Sequence, residues 1–244
     1  MDSKFAGKRV LVTGANRGLG QALVDEALSR GAKRVYAAAR QPLSHPDERV
    51  TPVVLDVTDE GQIQRAVGQV ESLDVLINNA GVAMYDDLSQ RGVLEQHLAV
   101  NLFGPLSVTQ AFLPLLTRAN GVVVNVLSTA AAAAVPIIPS YSISKAASWS
   151  LSQSLRALLA PRGVSVHAVL AGPIDTEMSR QLPVPKASTE SVARAIFDAV
   201  QDGEDDIFPD PMSATLAESW RGGAVKAMER QNAALVAAAP VAAD

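Results

Sequence analysis

Residues 9–20 read Arg-Val-Leu-Val-Thr-Gly-Ala-Asn-Arg-Gly-Leu-Gly. Arg9–Val12 has the continuous apolar run of a strand buried on both faces. From Leu19 to Arg30 the pattern is helical: Leu19, Ala22, Leu23, Ala27 and Leu28 share a face, and Gly31 stops it. Between them, Gly14 permits a tight turn, Gly18 lets the backbone approach a pyrophosphate, and Gly20 allows close packing of helix on strand. The helix start offers unpaired N–H groups and a positive dipole end to phosphates. A glycine trio between a strand and a helix is a dinucleotide turn, with Gly14, Asn16, Arg17, Gly18, Leu19 and Gly20 as its expected contacts.

Outward from this turn, strands and helices alternate. Further strands are expected at Arg34–Ala39, Pro52–Leu55, Asp74–Ile77, Val122–Leu127, Val164–Val169 and near Asp206–Phe208. Helices are expected at Glu60–Val70, in one long region from about Leu88 to Arg118, from Tyr141 to Leu159, near Glu190–Val200, and from about Ala214. This alternation predicts an α/β fold: a doubly wound, Rossmann-type parallel sheet of about seven strands with helices on both faces. Its ligand would lie at the carboxyl ends of the strands. Gln41–Val50, carrying Pro42, His45 and Pro46, reads as a bare loop where a crossover helix is usual. With no repeat and no linker, residues 1–244 are expected to form one domain, with a frayed tail at Ala233–Asp244.

Composition narrows the function classes. The 244 residues are 48% hydrophobic and 19% charged, with a net charge of −4 and no basic stripe, which argues against nucleic acid as a partner. The absence of cysteine removes disulfides, thiolate catalysis and cysteine-bound zinc. His45, His97 and His167 are too scattered for a metal site, so none is expected. The N-terminus lacks a signal-peptide pattern, and no apolar run approaches the ~20 residues of a membrane span. A cytoplasmic protein without a membrane partner is the expectation.

The spacing Gly-x3-Gly-x-Gly resembles the fingerprint of the short-chain dehydrogenases/reductases. The charge at the ribose then bears on which nicotinamide cofactor binds. The second strand ends Ala37-Ala38-Ala39-Arg40, with no carboxylate to bond a 2′-hydroxyl, and Arg17 sits in the glycine loop. Two arginines and no acid favour NADP(H) over NAD(H). The resemblance implies further roles. Asp56 and Val57 look like the adenine-contacting pair, and Asn79, Ala80 and Gly81 like the segment lining the adenine-ribose side. Asn101 resembles the asparagine that props a water-linked proton path. Gly172, Pro173, Ile174 and Thr176 resemble the segment holding the carboxamide, although Ala171 replaces the usual first proline.

Tyr141 and Lys145 are four apart on a helix and so share a face. Ser128 ends the preceding strand. A phenol of pKa ~10 is a poor acid-base catalyst at neutral pH, and a neighbouring ammonium together with the positive nicotinamide ring would depress that pKa. The resemblance implies that Ser128 holds a carbonyl oxygen, Tyr141 protonates it, Lys145 binds the nicotinamide ribose, and Asn101 relays protons. Met84, Ala130, Val135, Ile137, Met178 and Leu182 are candidate walls of an apolar substrate pocket. Glu177–Ser188 would form a short lid. Trp220 is either a core anchor or a cover for the cleft, and Trp149 a candidate subunit contact. Together these imply hydride transfer between NADP(H) and a small hydrophobic ketone, aldehyde or alcohol by a homodimer or homotetramer. An imine or other C=X reductase and a cofactor-sensing regulator of the same fold are the rivals, the complete Ser128–Tyr141–Lys145 set opposing the latter.

Overall fold

The computed structural model describes residues 5–238. Its strands are β1 (Arg9–Thr13), β2 (Arg34–Ala39), β3 (Val50–Val54), β4 (Val75–Asn78), β5 (Val122–Val126), β6 (Ser165–Val169) and β7 (Asp206–Ile207). Its helices are α1 (Gly18–Ser29), α2 (Glu60–Gln69), α3 (Arg91–Leu98), α4 (Gly104–Ala119), α5 (Pro139–Leu159), α6 (Thr189–Asp202), α7 (Pro211–Arg221) and α8 (Ala224–Ala238). The seven strands form one sheet, ordered β3-β2-β1-β4-β5-β6-β7, with every pair parallel. The winding reverses between β1 and β4, which opens a crevice at their carboxyl ends.

Each sheet face has its own core. On one side, Leu23, Val24 and Ala27 of α1 pack with Val192, Ile196 and Phe197 of α6 against Val10 and Val12. On the other, Ile63, Phe112, Leu116 and Leu155 cover Leu11, Leu76 and Val123. Each fully buried side chain of this size stabilises the fold by about 1.5–3 kcal/mol. The link from β2 to β3 is a bare loop, as its prolines suggest. Arg49 ties that loop to the end of α1, donating to the carbonyls of Leu28 (3.2 Å) and Ala32 (3.4 Å).

Three elements differ from the sequence reading. The expected single helix from Leu88 to Arg118 begins at Arg91 and is interrupted by a π-helical turn at Ala99–Phe103. Pro105 supplies a reason: it has no N–H to give the carbonyl of Asn101 four residues earlier, so the helix takes a wider turn. The run Arg91–Ala119 is also long and apolar enough to cross a membrane by length and composition, contrary to the sequence reading. Here Val108, Phe112 and Leu116 of that run are buried against the sheet. The final helical stretch is two helices, α7 and α8, divided at Gly222–Gly223. Of the tail expected to fray, 233–238 belongs to α8 and 239–244 lies outside the described residues.

Candidate active site

The phosphate end is built on Thr13, the last residue of β1. Its hydroxyl accepts from the backbone N–H groups of Asn79 and Ala80, both at 3.0 Å. Asn79 returns its amide to the carbonyls of Thr13 (3.0 Å) and Gly14 (3.2 Å). The glycine loop is therefore clamped to the end of β4. A Cβ on Gly20 would lie 2.0 Å from the Gly14 carbonyl oxygen, so only glycine lets α1 approach the loop this closely. Gly14 and Gly18 both take positive φ, and a Cβ on Gly18 would crowd Thr176 at 3.2 Å. Arg17 precedes α1 without capping it through its side chain, which leaves the helix's first N–H groups facing the crevice for an anion. Leu19 is buried, while Asn16 is exposed beside the loop.

The two arginines behave differently. Arg40 is exposed at the end of β2 and forms no ion pair among the described residues. Arg17, expected beside the same ribose corner, is exposed and pairs with Glu177. An acid 160 positions further along the chain, at the root of the lid segment, draws it across the loop. Asp56 accepts from the Thr58 backbone (2.9 Å) and hydroxyl (2.7 Å), fixing the turn after β3. Val57 is buried, with a Cβ on Gly104 excluded by its Cγ2 at 2.7 Å.

At the centre, Ser128, Tyr141 and Lys145 converge. Lys145 Nζ donates to the Val126 carbonyl at 2.9 Å and lies 5.6 Å from the centre of the Tyr141 ring. Gly81 borders the same space; a Cβ there would be 3.7 Å from Lys145 Nζ. Burial pulls the Lys145 ammonium down from its usual 10.5 to about 8. Burial likewise raises the Tyr141 phenol above its ordinary 10.0, opposed by its hydrogen bond with Ser128. From the chain's own groups alone, the phenol thus shifts opposite to the direction expected: enclosure of the hydroxyl outweighs the help that Ser128 gives the phenolate.

Asn101 sits in the π-helical turn and is buried. Its side chain accepts from Val82 N and donates to Val82 O and Ser144 Oγ, each at 2.9 Å. Ser148 Oγ donates to its backbone carbonyl at 2.6 Å, supplying the bond that Pro105 cannot. A cavity of about 10 Å³ lies among Asn78, Asn101, Asn125, Lys145 and Ser148, room for roughly one water centre. Asn78 Oδ1 is buried at this place without a hydrogen-bond partner among the described residues.

Beyond β6, Ala171–Thr176 curves past the glycine loop. Thr129 N donates to the Ala171 carbonyl at 2.9 Å. Ile174 bridges to Ala187, and Ala187 N donates to the Pro173 carbonyl at 3.0 Å, so the two ends of the lid segment are joined.

A family model described as short chain dehydrogenase matches residues 8–186. The chain belongs to the short-chain dehydrogenases/reductases. Short-chain dehydrogenase PC-15 of Penicillium crustosum is 39% identical over 185 residues, 69% of this chain and 66% of that protein. The match thus spans just under two thirds of that relative's length. The 2-(R)-hydroxypropyl-CoM dehydrogenase of Xanthobacter autotrophicus is 32% identical over 207 residues, 75% of this chain and 82% of that protein. A short chain dehydrogenase of Burkholderia cenocepacia, solved in complex with NADP, is 38% identical with a TM-score of 0.85, covering 93% of this chain and 98% of that one.

In this short-chain dehydrogenase/reductase, the candidate substrate walls are less uniform than the sequence suggested. Ile137 and Met178 are exposed at the mouth, and Met84, Val135 and Leu182 are half-buried. Ala130 is buried, its N–H held by Ser128 Oγ at 3.2 Å, so it supports the serine. Trp220 and Trp149 pack against each other with ring centres 4.3 Å apart and planes tilted by 44°, and Trp220 Nε1 donates to Asp206 at 2.8 Å. Trp220 is therefore a tail anchor, not a cover, and Trp149 is the residue it packs on.

Sequence reasoning missed three supports. Ser140 bonds Asp86 with both its hydroxyl (2.5 Å) and its N–H (3.3 Å), joining the start of α5 to the segment after β4. His97, set aside as a metal ligand, is fully buried. Its Nε2 must accept from Met84 N at 3.1 Å, so Nδ1 carries the proton and donates to the Val93 carbonyl at 2.8 Å. The His97 ring meets Tyr141 edge-on at 6.4 Å. No local pattern announces either contact. Ser148 is the third, and Pro105 was its available signal.

Proposed function

We propose that this short-chain dehydrogenase/reductase is an NADP(H)-dependent oxidoreductase acting on a small, hydrophobic ketone or aldehyde, or on the corresponding alcohol. The observation that carries this reading is the meeting of Ser128, the Tyr141 phenol and Lys145 beside one crevice. The residues fit a dinucleotide. The glycine turn leaves backbone and helix N–H groups for its phosphates, and the unpaired Arg40 offers a cation for a 2′-phosphate. The NADP bound to the Burkholderia cenocepacia relative supports the same choice.

When bound, the cofactor supplies hydride chemistry. The chain's own groups do the rest. Ser128 donates a hydrogen bond to the substrate oxygen and stabilises its growing charge. Tyr141, protonated throughout the neutral range, gives that oxygen its proton. Lys145, anchored on Val126, holds positive charge behind the phenol as phenolate forms. Asn101 keeps the wall segment at Val82 and the start of α5 at Ser144 in register. Met84, Val135 and Ile137 give the cleft an apolar side without a fixed charge.

A panel of ketones and aldehydes, each run with NADPH and with NADH and followed by cofactor absorbance, tests the reading. NADPH-dependent reduction of apolar members is expected. Tyr141→Phe should cut turnover by a few orders of magnitude while leaving NADPH affinity nearly intact. Equal turnover by that variant would remove the proposed acid.

A further inference from the structure

Asp210 lies beyond the stretch that the family model matches, and it is buried at the N-cap of α7. Its carboxylate serves two separate structures. Oδ1 accepts from Met212 N and Ser213 N, both at 3.0 Å, which caps the helix. Oδ2 accepts from Ser213 Oγ at 2.7 Å and, across 38 positions of chain, from Gly172 N at 2.7 Å. Gly172 begins the turn that carries Ile174 and Thr176. A Cβ on Gly172 would lie 2.7 Å from Asp210 Oδ1 and 3.2 Å from Met212 Cβ, so the fit between α7 and the turn is close. The residue before Gly172 is Ala171, whose carbonyl is held by Thr129 N. The turn is thus gripped from the active-site side by Thr129 and from the tail by Asp210.

We infer that Asp210 is a positioning residue for cofactor binding: it aims the Gly172–Thr176 turn at the nicotinamide end of the dinucleotide. The inference rests on the assignment of that turn to the carboxamide side. The chemistry requires a carboxylate. Four donors converge on one side chain, and an ionised carboxylate is acceptor-only, with room for all of them. Such charge-assisted bonds are short and roughly twice as strong as neutral ones. It gives this turn a rigidity that the alanine at 171 does not.

Two substitutions separate the brace from the cap. In Asp210→Asn, the one acceptor oxygen can still cap Met212 and Ser213, but the amide then meets the Gly172 N–H donor to donor. In Asp210→Ser, the hydroxyl is a good N-cap but too short to reach Gly172. Calorimetric titration of both variants with NADPH and with 2′,5′-ADP, which lacks the nicotinamide half, reads the difference. In either variant that folds, the NADPH Kd should rise about ten-fold while the 2′,5′-ADP Kd stays within about two-fold. Unchanged NADPH affinity, or equal weakening of both ligands, would make Asp210 a helix cap and nothing more. Thr176→Ala distinguishes the two failures. Loss of NADPH affinity there, with none at position 210, overturns the brace alone; no loss in any of the three variants overturns the assignment of the turn as well.

Discussion

Tyr141 and Lys145 share a helix face in the sequence, and they share a crevice in the structure. Their proton affinities were not legible, because these depend on enclosure by β5, Ser128 and the segment after β4. Burial moves the two groups apart: Lys145 falls to about 8 and Tyr141 rises above its ordinary 10.0. The sign of the pH effect follows. Below about 8 the amine is charged and the phenol protonated, the pair of states that reduction needs. As pH rises through about 8 the ammonium is lost first, while the phenol keeps its proton. A carbonyl-reduction kcat/KM profile should therefore decline through pH about 8. A profile level to pH 10 would show that the charge on Lys145 is not required. At this scale the sequence was silent on one partner: Arg17, read for a phosphate corner, also pairs with Glu177, a residue close only after folding.

The phosphate turn is the element most completely written in the sequence. Its glycine spacing reports steric limits within a single strand–turn–helix, and the structure makes those limits concrete at Gly20. Gly20→Ala would put a methyl group 2.0 Å from a backbone oxygen that has nowhere to retreat. The cost expected of such overpacking is about 1–3 kcal/mol. A thermal melt should show a Tm loss of about 2–4 °C per kcal/mol, and NADPH titration at least a ten-fold weaker Kd. A variant that melts and binds like the parent would mean the loop tolerates displacement. The π-helical turn shows the opposite case. Periodicity alone reads Leu88–Arg118 as one helix, since one extra residue per turn barely disturbs an apolar pattern. Pro105 marks the break, but what makes the break useful is Ser148, on another helix, taking up the released carbonyl of Asn101.

Across the whole molecule, the tail is fastened by a buried charge cluster. Lys226 Nζ bonds Asp206 at 2.7 Å and Glu229 at 3.0 Å, while Arg156 Nη2 bonds Asp206 at 3.0 Å. Burial works against the charge on Asp206, but Arg156 and then Lys226 and Trp220 prevail and hold its carboxyl below the ordinary range. That contribution to stability is present at neutral pH and fades as acid protonates Asp206 through its lowered folded pKa. Lys226→Met would leave the buried Asp206 carboxylate and the part-buried Glu229 with Arg156 as their shared cation. A loss of about 3 kcal/mol is expected in chemical denaturation at pH 7, and no change there would mark the cluster as energetically idle. By itself, the amino-acid order determined the parallel sheet, the dinucleotide turn and the Tyr141–Lys145 face, because each is a steric or periodic rule acting over a few neighbouring residues. Folding alone decided the partner of Arg17, the acidity of the phenol and lysine, and the union of Asp210 with Gly172. Those depend on distances between segments far apart in the chain, and on the dielectric they create by closing around one another.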